Sequence, residues 1–276
     1  MVGMSAKVQA EHVIRCKWQE VEPIPDTPLA GHLLQLCRKY GDKPAMICGL
    51  SGSRMTYTDI ADWVLRVSYG WSQCGLAEGD VVCMITPNVL LAPPTFMAAI
   101  AAKAKVTLAN PLYTADELRH HLSNSGSRWV VVHPLFAPLV RAATKGCADI
   151  QGVYILGESA VEEYEAITSI GKDPPAEWSG SGLDGDSVVH LPYSSGTTGL
   201  PKGVLLTSRN WQAALSSAGR QEFFCVDSSD FILGLLPIFH VFGMGIVLIS
   251  MSYGSTLVLL PKFQPDTFLK AIQEYK

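Results

Sequence analysis

The 276-residue sequence lacks any dense block of lysine or arginine, and its formal net charge at pH 7 is -4. A nucleic-acid-binding surface needs a concentrated positive field to meet the phosphate backbone. The missing block therefore argues against a nucleic-acid partner and favours a small-molecule substrate. Hydrophobic residues make up 48% of the chain, enough to fill the core of one large α/β domain or two small ones.

No C-x-x-C pair occurs, and no histidine stands near a cysteine at the spacing of a metal site. The scattered spacing predicts reduced thiols in the core. The first 19 residues are interrupted by charged side chains and contain no apolar segment, so they do not resemble a secretory signal. Both features favour an intracellular, reducing compartment, and we expect the cytoplasm. The cysteines are Cys16, Cys37, Cys48, Cys74, Cys83, Cys147 and Cys225.

Charged side chains are absent from Phe231 through Pro261, a run long enough to cross a bilayer as one helix. Pro237, His240 and several glycines divide the run into short pieces. We therefore predict no transmembrane segment. The pieces predict a buried strand, a buried helix and a second buried strand, over Phe231–Leu236, Val241–Met251 and Ser255–Leu260.

Strand-like and helical segments alternate along the first two thirds of the chain. Thr114 and Glu117 have the spacing of a capping box at the start of one helix. Repeated strand, helix and strand predict an α/β fold with mostly parallel sheets flanked by helices. The predicted strands are Ala45–Cys48, Arg54–Tyr57, Val81–Thr86, Lys105–Ala109, Arg128–His133 and Val153–Leu156. The predicted helices are Leu29–Tyr40, Thr58–Cys74, Val89–Ala102, Ala115–Ser125 and Leu135–Lys145.

The segment Gly180–Gly185 matches the pattern G-x-G-x-x-G. A dinucleotide-binding fingerprint follows a strand and opens a helix, whereas this segment follows a proline-rich loop and precedes a strand-like run. We interpret it as a connection between two subdomains, at about 26–186 and about 187–276.

Hydroxyls, glycines and one cation are concentrated between Tyr193 and Val204. Glycines let backbone N–H groups turn toward a ligand, hydroxyls donate to phosphate oxygens, and Lys202 adds a mobile positive charge. The run is flanked by the strand-like segments Val188–Leu191 and Val204–Leu206, which argues against a flexible linker. The predicted phosphate-binding residues are Ser194, Ser195, Gly196, Thr197, Thr198, Gly199, Lys202 and Gly203.

This loop differs from the common phosphate loop, G-x-x-x-x-G-K-[ST]. Counted from Gly196, the place of the second glycine is taken by Pro201, and Gly203 follows Lys202 where a hydroxyl residue would be required. The segment therefore belongs to another class of phosphate-binding loop.

The pattern S-S-G-T-T-G-x-P-K-G resembles the signature of the adenylate-forming acyl-CoA synthetases, the AMP-binding family. Within this family it is similar to plant 4-coumarate:CoA ligases and their ligase-like relatives. The segment Pro237–His240 resembles the P-x-F-H stretch that lines the acyl pocket of these enzymes. Weaker resemblance is carried by Gly79–Val82, Pro87–Asn88, Ala109–Thr114 and Pro261–Phe263, so it extends over nearly the whole chain.

The resemblance implies a carboxylate–CoA ligase. In such enzymes a carboxylate attacks the α-phosphate of ATP and releases pyrophosphate, and the thiol of CoA then displaces AMP from the acyl-adenylate. ATP, Mg²⁺, CoA and a small carboxylic acid are the implied ligands. Adenylyl transfer demands charge neutralisation and in-line positioning, so we expect the loop, Lys202 and Mg²⁺ to form a physically sufficient half of the active site. No side chain of this chain is assigned as a catalytic group.

Three residues after predicted strand ends are further candidates. From the residues alone, His240 reads as a hydrogen-bonded core histidine, whereas the resemblance implies a pocket residue that gates the acyl site. Phe242 is implied to line that pocket, with an ordinary core position as the alternative. Hydroxycinnamate-using members often carry tyrosine there, so phenylalanine argues against 4-coumarate itself. Lys262 is implied to approach CoA, with a solvated surface charge as the alternative. His120 and His121 are adjacent and point apart, so we expect no shared metal site.

The last segment, Pro265–Lys276, predicts a crossover helix that should lead into another strand. Similar ligases continue with an adenine-contacting aromatic, a ribose-binding aspartate, an arginine hinge and a small domain carrying a catalytic lysine. We therefore expect residues 1–276 to be the incomplete N-terminal AMP-binding part of a longer ligase. The alternatives are a short non-catalytic product that binds nucleotide or a partner, and a fatty-acyl-CoA ligase or luciferase-like enzyme. A peroxisomal location remains open for the longer protein.

We expect the purified 276-residue chain to form no acyl-adenylate, because the resemblance places the adenine- and ribose-binding segments beyond Lys276. ATP–pyrophosphate exchange measures this reaction directly. Exchange that depends on an added carboxylic acid, above a control without acid, would contradict the expectation.

Overall fold

A computed structural model describes residues 27–194, 201–218 and 226–275. Strands and helices alternate as the sequence pattern predicts. The helices are α1 (Leu29–Tyr40), α2 (Tyr57–Gln73), α3 (Ala92–Ala101), α4 (Ala115–Ser125), α5 (Ala137–Thr144), α6 (Ser208–Ala218), α7 (Val241–Tyr253) and α8 (Pro265–Tyr275). The strands are β1 (Pro44–Cys48), β2 (Arg54–Thr56), β3 (Val81–Ile85), β4 (Lys105–Leu108), β5 (Ser127–Val132), β6 (Gly152–Ile155), β7 (Glu165–Ala166), β8 (Val188–His190), β9 (Tyr193–Ser194), β10 (Lys202–Gly203), β11 (Leu206–Thr207), β12 (Phe231–Gly234) and β13 (Thr256–Leu259).

A seven-stranded sheet has the order β11-β8-β4-β3-β5-β6-β7. All neighbours in it pair in parallel except the edge strand β11, which runs antiparallel to β8. The mostly parallel α/β class predicted from the alternating pattern is confirmed. The helix expected from Val89 begins at Ala92 instead. Pro93 and Pro94 occupy its first turn, where the missing N–H groups have no intrahelical partner to lose.

A four-stranded sheet has the order β12-β13-β1-β2. Strand β1 pairs in parallel with β13, far along the chain, and antiparallel with its sequence neighbour β2. Each of these two sheets takes strands from both sides of residue 186. The division into subdomains near that residue therefore stays a prediction.

Both sheets turn one face toward a shared hydrophobic core, which α1, α2, α3, α6 and α7 fill. Alternate residues of β3 show the arrangement, since Val82 and Met84 face this core while Cys83 and Ile85 face α4 and α5. Helix α8 covers the remaining face of the four-stranded sheet, where Ala271 packs with Val258. The layers are therefore helix, sheet, helix, sheet and helix.

Local signals in the sequence account for several helix ends. The predicted capping box is confirmed, because the Thr114 hydroxyl accepts from the Glu117 N–H and the Glu117 carboxylate accepts from the Thr114 N–H. Helix α7 ends at Gly254 in the left-handed conformation. The charge-free run divides into β12, α7 and β13 as expected. Within the described ranges, no helix is long and apolar enough to cross a membrane.

The glycine-rich segment after residue 179 packs against helices. Gly182 has a φ of +79°, and a Cβ there would lie 2.7 Å from the carbonyl oxygen of Ile100 in α3. The Ser181 carbonyl accepts from the N–H of Gly31 in α1 at 3.1 Å. The segment leads into β8 and opens no helix, which agrees with its interpretation as a connection.

Two expectations from the sequence are wrong in part. Val204 and Leu205 lie between β10 and β11, outside any strand, with exposed side chains. Among the cysteines in the described ranges, Cys37 and Cys83 are buried thiols, whereas Cys74 is exposed. Core burial therefore does not explain every cysteine.

His190 in β8 is fully buried between aromatic rings. Its ring stacks on the Trp211 ring with centroids 5.6 Å apart. It also packs in a T-shaped arrangement with the Phe96 ring, with centroids 5.2 Å apart. Neither ring nitrogen has a hydrogen-bond partner among the described residues. Burial lowers the pKa of His190 from 6.5 to about 3, so the folded protein holds this imidazole neutral.

This buried imidazole predicts acid-sensitive stability. Below pH 6.5 the unfolded chain binds a proton at His190, whereas the folded chain does not bind it until the pH approaches the lowered pKa of about 3. The free energy of unfolding should therefore fall by ~1.4 kcal/mol per pH unit from this residue as the pH drops from 6 toward 4. Urea denaturation at several pH values measures the slope. His190→Leu should reduce the dependence of the free energy of unfolding on pH by ~1.4 kcal/mol per pH unit, the contribution of one proton.

His120 provides the control, since its side chain is exposed. His120→Gln should retain the contribution of His190 to the slope, because the substitution changes an exposed side chain and leaves the packing of His190 with Trp211 and Phe96 in place. An unchanged slope in His190→Leu would contradict the prediction.

Candidate functional site

Four parallel strands bring separated segments to one edge of the seven-stranded sheet. Strands β3, β4, β5 and β8 point the same way, so the residues that follow them meet at the carboxyl edge, where α/β sheets bind ligands. These residues are Thr86–Asn88, Ala109–Tyr113, His133 and Leu191–Tyr193.

The predicted phosphate loop rises from this edge on a hairpin made of β9 and β10. Lys202 pairs with Ser194, and Gly203 pairs with Tyr193. The Ser194 hydroxyl lies 3.5 Å from the Lys202 carbonyl oxygen. Both side chains are exposed, so the structure brings one hydroxyl and the ammonium group to the two ends of the same loop. The predicted residues Ser195, Gly196, Thr197, Thr198 and Gly199 lie outside the described residues.

Tyr193 anchors the hairpin to helix α4. Its hydroxyl donates to Asn124 Oδ1 at 2.6 Å. Its ring also lies against Gly203, where an added Cβ would come within 3.3 Å of a ring carbon. Glycine at 203 thus lets β10 approach the tyrosine ring, a packing role besides any contact with phosphate. The N–H of Val204 donates to the Pro192 carbonyl at 2.9 Å and closes the base of the hairpin.

His121 supports the hairpin from below, a role that sequence reasoning missed. Its ring lies 4.1 Å from the Tyr193 ring, between centroids, and its Nε2 lies 2.9 Å from Thr107 Oγ1. Burial, with a smaller contribution from the charge of His120, lowers the pKa of His121 to about 4. His120 is exposed whereas His121 is buried, and the expectation that the two imidazoles point apart stays a prediction. The available signal was the spacing of His121 with the buried Leu118 and Leu122.

A cavity of about 290 Å³ adjoins the hairpin. Aromatic rings and a proline form much of its wall, with two carboxylates along one side. The lining residues are Tyr113, Asp116, Glu117, His120, His121, Tyr193 and Pro201.

Asn88 connects the two sheets next to the P-x-F-H segment. Its amide nitrogen donates to the carbonyls of Gly234 and Leu236 at 3.2 and 3.0 Å, and its Oδ1 accepts from the N–H of Ile238 at 3.0 Å. The side chain is only 4% exposed, so these bonds are made away from water. The turn between β12 and α7 is thereby held to the carboxyl end of β3.

His240 caps the start of α7, and its Nδ1 accepts from the N–H of Phe242 at 3.3 Å. The interpretation as a buried core histidine is wrong, since the side chain is exposed. Phe242, two residues further along the chain, is 55% exposed, so both residues present their side chains at the surface. Lys262 follows β13 and is also exposed, as either of its predicted roles requires.

A second cavity, of about 230 Å³, lies where the carboxyl ends of both sheets meet. Its lining includes Cys48 after β1, Asn88 after β3, His133 after β5 and Pro261 after β13. Lys262 is the next residue along the chain. In the described ranges, no group of three or more His, Cys, Asp or Glu side chains could hold a metal ion.

Residues 34–276 match the family model described as AMP-binding enzyme. The chain belongs to the AMP-binding enzyme family. A 4-coumarate–CoA ligase from Pinus taeda is 29% identical over 275 residues, which cover 97% of this chain and 50% of that protein. The chain thus spans about half the length of the curated relatives it matches.

Solved structures of similar fold include a luciferase-like enzyme from the Zophobas morio mealworm. It has a TM-score of 0.84 at 24% identity, over 93% of this chain and 60% of that chain. A long-chain-fatty-acid-CoA ligase from Archaeoglobus fulgidus has a TM-score of 0.82 at 23% identity, over 95% of this chain and 53% of that chain. At these identities the likeness shows the shared fold alone.

Gly243 lets the first turn of α7 lie against the P-x-F-H segment. A Cβ at Gly243 would lie 2.1 Å from the Pro237 carbonyl oxygen, whereas one at Gly245 would meet only a Trp211 ring carbon at 3.8 Å. We expect Gly243→Ala to lower the free energy of unfolding by roughly 1–3 kcal/mol, because the turn must move away.

Gly245→Ala is the matched control in the same helix. It should raise the free energy of unfolding by about 0.5–1 kcal/mol, since alanine loses less entropy than glycine in a helix. Urea denaturation compares both variants with the wild type. Equal midpoints for Gly243→Ala and the wild type would contradict the close approach.

Proposed function

We propose that this chain forms the phosphate-binding and acyl-entry part of an ATP-dependent, AMP-forming carboxylate–CoA ligase of the 4-coumarate:CoA ligase-like type. The observation that carries the proposal is the β9–β10 hairpin at the carboxyl edge of the parallel sheet. It holds the hydroxyl of Ser194 and the ammonium of Lys202 at the two ends of a loop rich in glycine and hydroxyl residues. Membership of the AMP-binding family supports a nucleotide as the ligand.

The proposed reaction has two steps, formation of an acyl-adenylate and its conversion into a thioester of CoA. A carboxylate oxygen forms a bond to the α-phosphorus of ATP, and the bond to pyrophosphate breaks. The thiol of CoA then loses its proton to solvent, its sulfur bonds to the acyl carbon, and the bond between that carbon and the AMP oxygen breaks, so that AMP leaves. In the first step Lys202 and the loop hydroxyls would bind the β- and γ-phosphates, which lowers the repulsion met by the incoming carboxylate. Mg²⁺ would be held mainly by the phosphate oxygens and would neutralise their charge.

The acyl side of the proposal rests on the turn held by Asn88. Its three hydrogen bonds fix the segment from Gly234 to Ile238, and His240 and Phe242 follow at the exposed start of α7. We assign these two residues to the entrance of the acyl site. Phe242 supplies an apolar ring without a hydroxyl, which fits an aromatic or alkyl carboxylic acid whose ring or chain needs no hydrogen bond there. Lys262, beside the cavity between the sheets, is the proposed contact for CoA.

Lys202→Ala tests the phosphate site. The variant removes the loop's cation from an exposed position, so the fold should be retained. We expect the affinity for MgATP to fall by about 10- to 100-fold, the loss typical of a charged hydrogen bond at ~1.5–3 kcal/mol. Isothermal titration calorimetry of the wild-type chain and the variant measures the difference.

Lys145→Ala is the matched control, because Lys145 is an exposed lysine that follows α5 and lies outside the hairpin. It should bind MgATP like the wild type. Equal affinities for the wild type and Lys202→Ala would exclude the hairpin as the phosphate site.

A further inference from the structure

Leu191, which leads into the hairpin, is bonded to β4 through both its N–H and its carbonyl group. The N–H of Leu191 donates to the Val106 carbonyl at 2.8 Å. The carbonyl of Leu191 accepts from the hydroxyl of Thr107, also at 2.8 Å. Thr107 is fully buried, so water does not compete for this bond.

The same hydroxyl fixes the ring on which Tyr193 stacks. Thr107 has one hydroxyl proton, and it is donated to Leu191. Its oxygen must therefore accept from the Nε2–H of His121, 2.9 Å away, which sets the tautomer and the plane of that imidazole. Burial keeps the ring neutral at physiological pH, since the pKa of His121 is lowered to about 4.

These contacts connect Thr107, Leu191, Tyr193 and His121 in a ring beneath the hairpin. It runs from Thr107 to Leu191, along the chain to Tyr193, across the ring stack to His121, and back to Thr107. Asn124 lies one turn after His121 on α4, and its Oδ1 accepts a hydrogen bond from the Tyr193 hydroxyl. This bond fixes the position of the Tyr193 ring over His121. The position of Ser194 opposite Lys202 depends on where Tyr193 lies, because Tyr193 and Gly203 are the adjoining pair.

We propose that Thr107 is a positioning residue for the phosphate-binding hairpin: through Leu191 directly, and through His121 and Tyr193, it holds Ser194 and Lys202 in the arrangement that binds polyphosphate. The inference rests on the proposed function. Thr107 is buried beneath the hairpin and does not itself contact the ligand, so its effect passes entirely through the hairpin.

Thr107→Val tests the inference, since valine keeps the shape and removes the hydroxyl. We expect the affinity for MgATP to fall by about tenfold, the factor given by one hydrogen bond of ordinary strength when only the bonded arrangement binds. Thr107→Ser retains the hydroxyl and should bind within about twofold of the wild type. Calorimetric titration with MgATP, and separately with pyrophosphate, measures the affinities. Thr107→Cys, a weaker donor of similar size, should lie between Ser and Val and replaces the valine variant if that variant does not fold.

Thr95→Val separates positioning from a general loss of stability. Thr95 is also fully buried, and its Oγ1 accepts a hydrogen bond from the ring N–H of Trp63 at 3.1 Å. This bond joins helices α3 and α2 and includes no residue of the hairpin. This variant should lose thermal stability, as Thr107→Val does, and should keep the wild-type affinity for MgATP.

The outcomes distinguish the two proposals. Wild-type affinity in Thr107→Val, or an equal loss in Thr95→Val, overturns the role of Thr107 and leaves the phosphate site intact. A wild-type chain that binds neither MgATP nor pyrophosphate overturns the proposed function and this inference together.

Discussion

Parallel pairing within the seven-stranded sheet is the constraint on which the rest of the structure depends. Because β3, β4, β5 and β8 run in one direction, four loops that are distant in sequence leave the sheet at the same edge. Backbone groups there are no longer engaged in the ladder and can face a ligand. The hairpin of β9 and β10 is one of these exits, and its location follows from the pairing of β8 with β4.

A second consequence is the connection between the two sheets. They share one hydrophobic core, and that nonspecific contact is supplemented by directional bonds at the carboxyl edge. Asn88 makes three of them to the turn that precedes α7. A buried amide whose donors and acceptor are all paired fixes a relative position far more sharply than apolar packing does. The proposed phosphate site and the proposed acyl entrance are thus both attached to the carboxyl edge of the seven-stranded sheet, the first through Leu191 and the second through Asn88.

Most of the fold was predictable from the sequence because its signals are local. Helices α1 and α4 begin and end where predicted, since apolar spacing and, in α4, a capping box act within a few residues. Val204 and Leu205 were misassigned because an apolar pair reads as a strand whether or not a partner strand is available. His240 was ambiguous for a similar reason, since an uncharged neighbourhood does not reveal which side chains reach the surface.

The candidate site divides in the same way. The sequence by itself determined which chemical groups the loop carries, because glycine, hydroxyl and lysine residues stand together in one short segment. The polyphosphate ligand proposed for the loop rests on the backbone freedom, donor groups and charge of those residues. Only the tertiary structure decided what supports that loop. Thr107, His121 and Asn124 support Tyr193 across strand and helix boundaries. The spacing of His121 with Leu118 and Leu122 indicates that it is buried, but no local sequence pattern connects these three residues with Tyr193. Their proximity exists only once β4, β8 and α4 have packed, since hydrogen bonds and ring stacking depend on distances that chain folding alone creates.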